Sequence, residues 1–231
     1  MVENIFTDYK SPQVRAMIHS GVVKSYAVAG KDVVDIFARP LCGVANLNDA
    51  ALNRNRTTQV VKNDPSLDVL SDPIDGWVLV RFFDGTVGWV EGDDLALVDQ
   101  KKHPHEPLVT SQEFVERFLG TTYLRGGTTE AGIDCSGLTQ RYWSSVRGVV
   151  IPRHSTDQWG AGGHVEEAQR ERGDILNLRN RASSTDHVGI YLDGGQVLHA
   201  CLDRKGVVVE SLDEVKKRYD ILGTTRIGHA L

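Results

Sequence analysis

Two kinds of hydrophobic patterning divide the 231-residue chain. Near its start Val14, Met17 and Ile18 recur every three to four positions behind Ser11-Pro12, and because proline suits a first helical turn this predicts a short helix within residues 1–25. From about Tyr26 the pattern changes to short β-rich runs, among them Thr57 to Lys62, Leu67 to Leu70, Trp77 to Phe83 and Thr86 to Val90, separated by Asn, Asp, Pro and Gly. Phe83-Asp84-Gly85-Thr86 predicts a hairpin, since an Asp-Gly pair accepts the positive φ angles of a tight primed turn. So many short strands predict a small β-barrel over residues 26–99.

Residues 100–107, QKKHPHEP, are polar and carry two prolines, which reads as a linker between domains. His103 and His105 could supply half of a metal site, but no third ligand lies nearby, and a solvated linker is the simpler reading. Beyond it, over residues 108–231, helices precede strands. Thr110 and Glu113 form a capping box ahead of Phe114, Val115, Phe118 and Leu119, and Gly120 ends that helix. A second helix is predicted from Cys135 to Val146, with Leu138, Tyr142 and Val146 on one face and Gly148 beyond its end. Strands follow at Asp174 to Leu178, His187 to Asp193, Gln196 to Cys201 and Val207 to Glu210, then a helix capped by Ser211 and Glu214 and a last strand from Ile221 to Ile227. The fold class is therefore α+β.

Charge narrows the functions available. With 26 Lys and Arg against 31 Asp and Glu the net charge is −5, a poor match for nucleic acid. Residues 1–100 hold 9 basic and 14 acidic side chains, whereas the remainder is balanced at 17 of each. No apolar run reaches the roughly 18 residues of a membrane span. The first residues lack the basic and apolar regions of a secretory signal, so a cytoplasmic location is expected, or a secreted one if a leader was trimmed. Cys42, Cys135 and Cys201 are too few and too scattered for a disulfide framework or a CxxC metal knuckle.

One of these cysteines is placed for chemistry. Cys135 stands where a Gly- and Thr-rich loop (126–134) turns into a helix, so unpaired amides and the helix dipole favour a thiolate there, and Asp134 and Ser136 flank it. A thiol nucleophile needs a base, and the base an orienting partner. His187 and His199 lie on consecutive predicted strands. A two-residue Gly194-Gly195 loop would put them on opposite faces; a three-residue Asp193-Gly194-Gly195 loop makes them diagonal neighbours on one face. Catalysis therefore requires the odd loop. The alternatives are two isolated, partly buried histidines, or zinc held by Cys135, His187, His199 and Cys201, although neither CxxC nor HxxxH spacing is present. Cys42 and Cys201 read as small core residues.

Six motifs in order, Tyr123-Leu-Arg-Gly-Gly127, Ile133-Asp-Cys-Ser-Gly-Leu138, Ile151-Pro-Arg153, Arg172-Gly-Asp-Ile175, His187-Val-Gly-Ile-Tyr-Leu192 and Val197-Leu-His-Ala200, resemble the NlpC-type cell-wall peptidases, papain-like cysteine hydrolases of peptidoglycan peptides. Upstream, the run from Asp75 to Leu95 resembles the last strands of a bacterial Src-homology-3-like barrel. The resemblance implies a papain-like domain whose nucleophile helix packs on an antiparallel sheet, with Cys135 as nucleophile, His187 as general base and His199 as the residue that fixes the tautomer of His187. The amide of Cys135 is the natural oxyanion donor.

Enzymes pairing such a barrel with this domain resemble γ-D-glutamyl-L-diamino-acid endopeptidases, which implies small peptidoglycan peptides with a free N-terminal L-Ala as partners. It also assigns Tyr123, Asp134 and Ser136 to the substrate amine and Ser155 to a further contact. Arg125 stands where the family commonly has tryptophan, which implies either a pair with the D-Glu carboxylate or a different substrate altogether, while His154 replaces a frequent aspartate and reads rather as a surface residue. No cofactor, metal, nucleic acid or membrane is implied. The expected function is a cysteine endopeptidase of peptide recycling; the alternatives are a wall lysin whose barrel binds intact peptidoglycan and a papain-like amidase or acyltransferase on another substrate.

Overall fold

Alternating side chains along seven short strands build the first half of the protein. The computed structural model describes residues 12–41, 52, 54–102 and 108–228, and divides into two units that part between Glu106 and Pro107. In the first unit, helix α1 (Pro12–Ser20) precedes β1 (Ser25–Ala29), β2 (Val33–Phe37), β3 (Arg56–Val61), β4 (Leu67–Val69), β5 (Trp77–Arg81), β6 (Val87–Glu91) and β7 (Leu95–Val98). All pairings are antiparallel, in the order β3-β2-β6-β5-β4-β1-β7. Period-two alternation sends Val78 and Val80 of β5 into one core with Ala27, Ile36 and Val90, and Trp77 and Leu79 into another with Trp89 and Val14 of α1.

Two expectations change here. The strands form an open order whose ends, β3 and β7, do not pair among the described residues, so no closed form of the barrel expected over 26–99 is detected there. α1 covers part of one face through Val14, while the other cluster is made of residues of the strands and their turns. The Asp84-Gly85 hairpin is also not a primed turn. Gly85 alone is left-handed (φ 87°), Phe82 N–H donates to Thr86 O, and the Asp84 side chain accepts from Thr86 N–H, a local bond that holds Asp84 out of the left-handed region.

The expected linker begins on this unit: Lys102 N–H donates to Ser66 Oγ and Lys101 pairs with Asp68 at 2.9 Å. The remainder of that segment, with His103 and His105, lies outside the described residues, as does Cys42.

The second unit opens with α2 (Ser111–Phe118), started by the capping box of Thr110 and Glu113. A two-stranded ribbon, β8 (Thr128–Thr129) and β9 (Gly132–Ile133), leads into α3 (Cys135–Arg147), which ends at the left-handed Gly148. After the short α4 (Ser155–Trp159) come β10 (Gly163–His164), β11 (Ile175–Asn180), β12 (Asp186–Leu192), β13 (Gln196–Cys201), β14 (Gly206–Ser211), α5 (Leu212–Arg218) and β15 (Tyr219–Arg226). The strands make an antiparallel sheet in the order β10-β15-β11-β12-β13-β14. On one face Leu138 and Tyr142 of α3 and Phe114 and Phe118 of α2 pack with Val188, Ile190, Leu198 and Ala200; on the other Val215 of α5 packs with Leu176, Leu178, Val197 and Tyr219. The mixed α/β architecture with antiparallel sheets is as the pattern predicted.

Candidate active site

Everything at the site follows from how β12 and β13 leave each other. They are joined by the three-residue turn Asp193–Gly195, and the register pairs Ile190 with Leu198, Tyr191 with Val197 and Leu192 with Gln196. This is the odd loop, so His187 and His199 share a face: His187 Nε2 lies 2.8 Å from His199 Nδ1. Gly189 makes the approach possible, since a Cβ there would come within 2.8 Å of Val197 and 3.2 Å of His199 Cβ.

No ladder pair is formed between β12 and β13 before Ile190 among the described residues. Tyr191 N–H donates toward β11, to Asp174 O, so strand alternation turns Val188 N–H the other way, into the opening beside β13. That amide donates to the sulfur of Cys135, the first residue of α3. The thiol thus meets the strand one residue from His187.

The start of α3 is anchored by Asp134. Its side chain accepts from Gly137 N–H at 2.7 Å and Gly126 N–H at 2.7 Å, and both oxygens receive the guanidinium of Arg153, at 2.9 and 2.8 Å. Arg153 also donates to Ser136 Oγ at 2.9 Å. The bonds of Gln158 Nε2 to the carbonyls of Ser136 and Pro152 fasten the 151–159 segment to the same turn. Gly137 lets α3 come this close, because a Cβ would sit 2.4 Å from Gly127 O.

This environment corrects one expectation. The helix terminus was expected to favour a thiolate, but burial of Cys135 and the neighbouring Asp134 carboxylate push its thiol up to about 12, against the pull of Val188 N–H, Arg153 and Ser136 N–H. Burial, with the charges of His199 and Arg218, holds His187 well below the ordinary histidine range. The pair is built as neutral thiol and neutral imidazole.

The other candidate residues are placed as follows. Tyr123 is half-buried, bridges to Ile133, and keeps its phenol proton because burial and the nearby Cys135 and Asp134 raise its pKa. Arg125 is exposed on the same loop and acts electrostatically on Tyr123. Ser136 and Asp134 are buried in the Arg153 network, so Asp134 meets any substrate ammonium as one half of an already neutralised pair. Ser155 is half-buried at the first position of α4, and His154, just before it, is exposed. Cys201 is fully buried with its sulfur 3.6 Å from Tyr219 Oη. Among the described residues no group of three or more His, Cys, Asp or Glu side chains is placed to hold a metal, and no helix is long and apolar enough to cross a membrane.

Residues 120–226 match the NlpC/P60 family. The chain is 32% identical over 138 residues to the murein DD-endopeptidase MepS/murein LD-carboxypeptidase of Escherichia coli strain K12, an alignment covering 56% of this chain and 72% of that protein. The chain belongs to the NlpC/P60 family. It is also 33% identical over 128 residues to the γ-D-glutamyl-L-lysine dipeptidyl-peptidase of Bacillus subtilis strain 168, covering 54% of this chain but only 42% of that longer protein. The structure of NlpC2 from Trichomonas vaginalis, 16% identical, covers 87% of this chain and 98% of its own with a TM-score of 0.53, a likeness of fold.

Beyond the family motifs, the NlpC/P60 unit carries polar residues that sequence reasoning missed. Glu210 Oε2 lies 2.9 Å from His199 Nε2, Arg204 holds its other oxygen at 2.9 Å, and Arg218 also grips Oε2. Tyr219 stacks on His187 with ring centroids 4.7 Å apart and planes 19° apart. The signal for Glu210 was present: it ends a predicted strand of valines, and pairing His199 with Val208 makes it a diagonal neighbour of His199. Nothing local marked Tyr219, nor Arg153 as the partner of Asp134.

Proposed function

We propose that the NlpC/P60 unit is a cysteine endopeptidase that cuts short peptidoglycan-derived peptides at the γ-D-glutamyl-L-diamino-acid bond, with the free amino terminus of L-Ala recognised, as peptide recycling requires. The observation that carries the reading is the 2.8 Å contact between His187 Nε2 and His199 Nδ1 beside the opening where Val188 N–H holds the Cys135 sulfur. With Nε2 engaged, Nδ1 of His187 is the nitrogen left to take the thiol proton.

Because thiol and imidazole are both neutral, the proton passes from Sγ to His187 Nδ1 as Sγ attacks the carbonyl carbon. The developing oxyanion is received by the amide of Cys135, which lies in the first helical turn, where amides lack an intrahelical acceptor. Collapse breaks the C–N bond, and the departing amine takes the proton from His187. Water then loses a proton to Nδ1 and attacks the thioester, returning acid and thiol.

The name of the Bacillus subtilis relative supports the γ-D-glutamyl bond. The Tyr123 phenol, held protonated, offers a donor at the rim, Asp134 and Ser136 receive the amine, Arg125 pairs with the D-Glu carboxylate, and Ser155 makes a further contact. The name of the Escherichia coli relative, a murein endopeptidase and carboxypeptidase, favours a competing reading on murein itself.

Incubating the full chain with L-Ala-γ-D-Glu-L-Lys, with its N-acetylated form and with intact sacculi tests the proposal. The free tripeptide should be cut and the acetylated one slowed by about 100-fold, the effect of an unpaired buried polar group. Cleavage of sacculi alone would establish the wall-lysin reading instead; equal rates on both tripeptides would point to an amidase or acyltransferase without amine recognition.

A further inference from the structure

The proton positions of the two imidazoles follow from the one group that cannot donate. Glu210 is an ionised carboxylate: the hydrogen bonds from His199, Arg218 and Arg204 outweigh its burial and lower its pKa. Its Oε2, 2.9 Å from His199 Nε2, can only accept, so the His199 proton is on Nε2 and its Nδ1 is a bare lone pair. His199 Nδ1, 2.8 Å from His187 Nε2, therefore accepts in turn, and His187 carries its proton on Nε2. That leaves Nδ1 of His187 without a proton, the state a base needs.

We propose that Glu210 is a positioning residue that sets the tautomers of both imidazoles in series, and that Arg218, gripping the same carboxylate oxygen, limits how much of its negative charge reaches them. The bonds of Glu210 go to His199, Arg204 and Arg218, and it works through His199 and His187. The inference rests on the reading of His187 as base only for its kinetic consequences, since the tautomers themselves need no substrate.

The groups facing the imidazoles are few. Glu210 comes from β14, Arg204 from the turn before it, Arg218 from the end of α5, Tyr219 from the start of β15 and Cys201 from β13, with Cys135 beyond on α3. The carboxylate raises the pKa of His199, while Arg218 lowers the pKa of both histidines. Removing one charge or the other thus pushes the imidazoles in opposite directions, a signature that loss of packing does not produce.

The test uses full-length protein labelled with nitrogen-15 in histidine and long-range proton–nitrogen NMR, which reads the tautomer of each ring. Wild type should show both His187 and His199 protonated at Nε2. In Glu210→Gln, which keeps the shape and removes the charge, the imidazole titrations and the acidic limb of Cys135 alkylation by iodoacetamide should shift about one unit downward. In Arg218→Met they should shift upward. Glu210→Ala should free the His199 tautomer and lower kcat on the cleaved peptide by about 100-fold with a smaller change in KM, as losing a residue that orients a catalytic side chain does.

A wild-type His199 protonated at Nδ1 would overturn the proposal. So would shifts of the same sign, or no shifts, in Glu210→Gln and Arg218→Met. If the tautomers and opposite shifts appear but the tripeptide is not cut, the substrate reading fails and this one stands.

Discussion

Asp134 and Glu210 are both carboxylates gripped by arginine near the proposed reaction centre, yet only Glu210 touches an imidazole. Asp134 spends its oxygens on N–H donors, two backbone amides and the buried fork of Arg153. It fixes where α3 begins and, as a charge beside Cys135, favours the protonated thiol. Glu210 gives one oxygen to Arg204 and shares the other between Arg218 and His199. A carboxylate held by amides and guanidinium places backbone; one that also meets an imidazole places a proton.

Both clusters serve the proposed reaction centre, and the largest expected effect tests the thiol itself. Cys135→Ala should lower turnover about a million-fold, to background, without lowering the melting temperature; retained turnover would remove the nucleophile from the mechanism.

Next in size is Arg153→Met. It strands the Asp134 carboxylate in a site where the Arg153 side chain is only 2% exposed, and should cost about 3–5 kcal/mol in urea unfolding. The matching change on the other side, Arg218→Met, leaves Glu210 with Arg204 and His199 and should cost about 1 kcal/mol or less. Equal costs would mean that the two clusters are not different in kind.

Acid should separate the clusters too. His187 and His199 have folded-state pKa values below the ordinary 6.5, so the unfolded chain takes up protons first as pH falls, and stability should decline from about pH 6.5 downward. Thermal melts between pH 7 and 5 measure this, and His187→Gln should flatten the slope. The smallest effect belongs to Tyr219→Phe, which keeps the stack on His187 and loses the hydroxyl contacts with Cys201 and Asn180, so turnover should change by less than about twofold.

Much of this was legible in short stretches of chain. The capping box at Thr110, the Ser211 cap, the helix opening at Cys135 and ending at Gly148, and the strand cores of the second unit all depend on residues within a turn or two of one another. The condition on the hairpin was also readable, since parity alone decides which face a side chain takes, and the three-residue turn meets it.

Other features were misread because the deciding partner was distant or of a different kind. Closure of the barrel was not readable because strand spacing says nothing about whether β3 and β7 meet. The primed turn failed because Asp84 had a side-chain bond that competed with it. The activated thiolate failed because the helix start was weighed without its burial or the charge on its own cap.

By itself the sequence determined the local elements, the parity condition under which His187 and His199 share a face, and the motifs of the family, since each is a matter of period, cap or spacing; the register that meets the condition belongs to the folded hairpin. Tertiary structure alone decided that Arg153 neutralises Asp134, that Glu210 and Arg218 reach His199, that Tyr219 lies against His187, and that β12 and β13 part just where a thiol can enter. Those outcomes depend on desolvation and on hydrogen bonds between residues far apart in the chain, and neither exists until the sheet has formed.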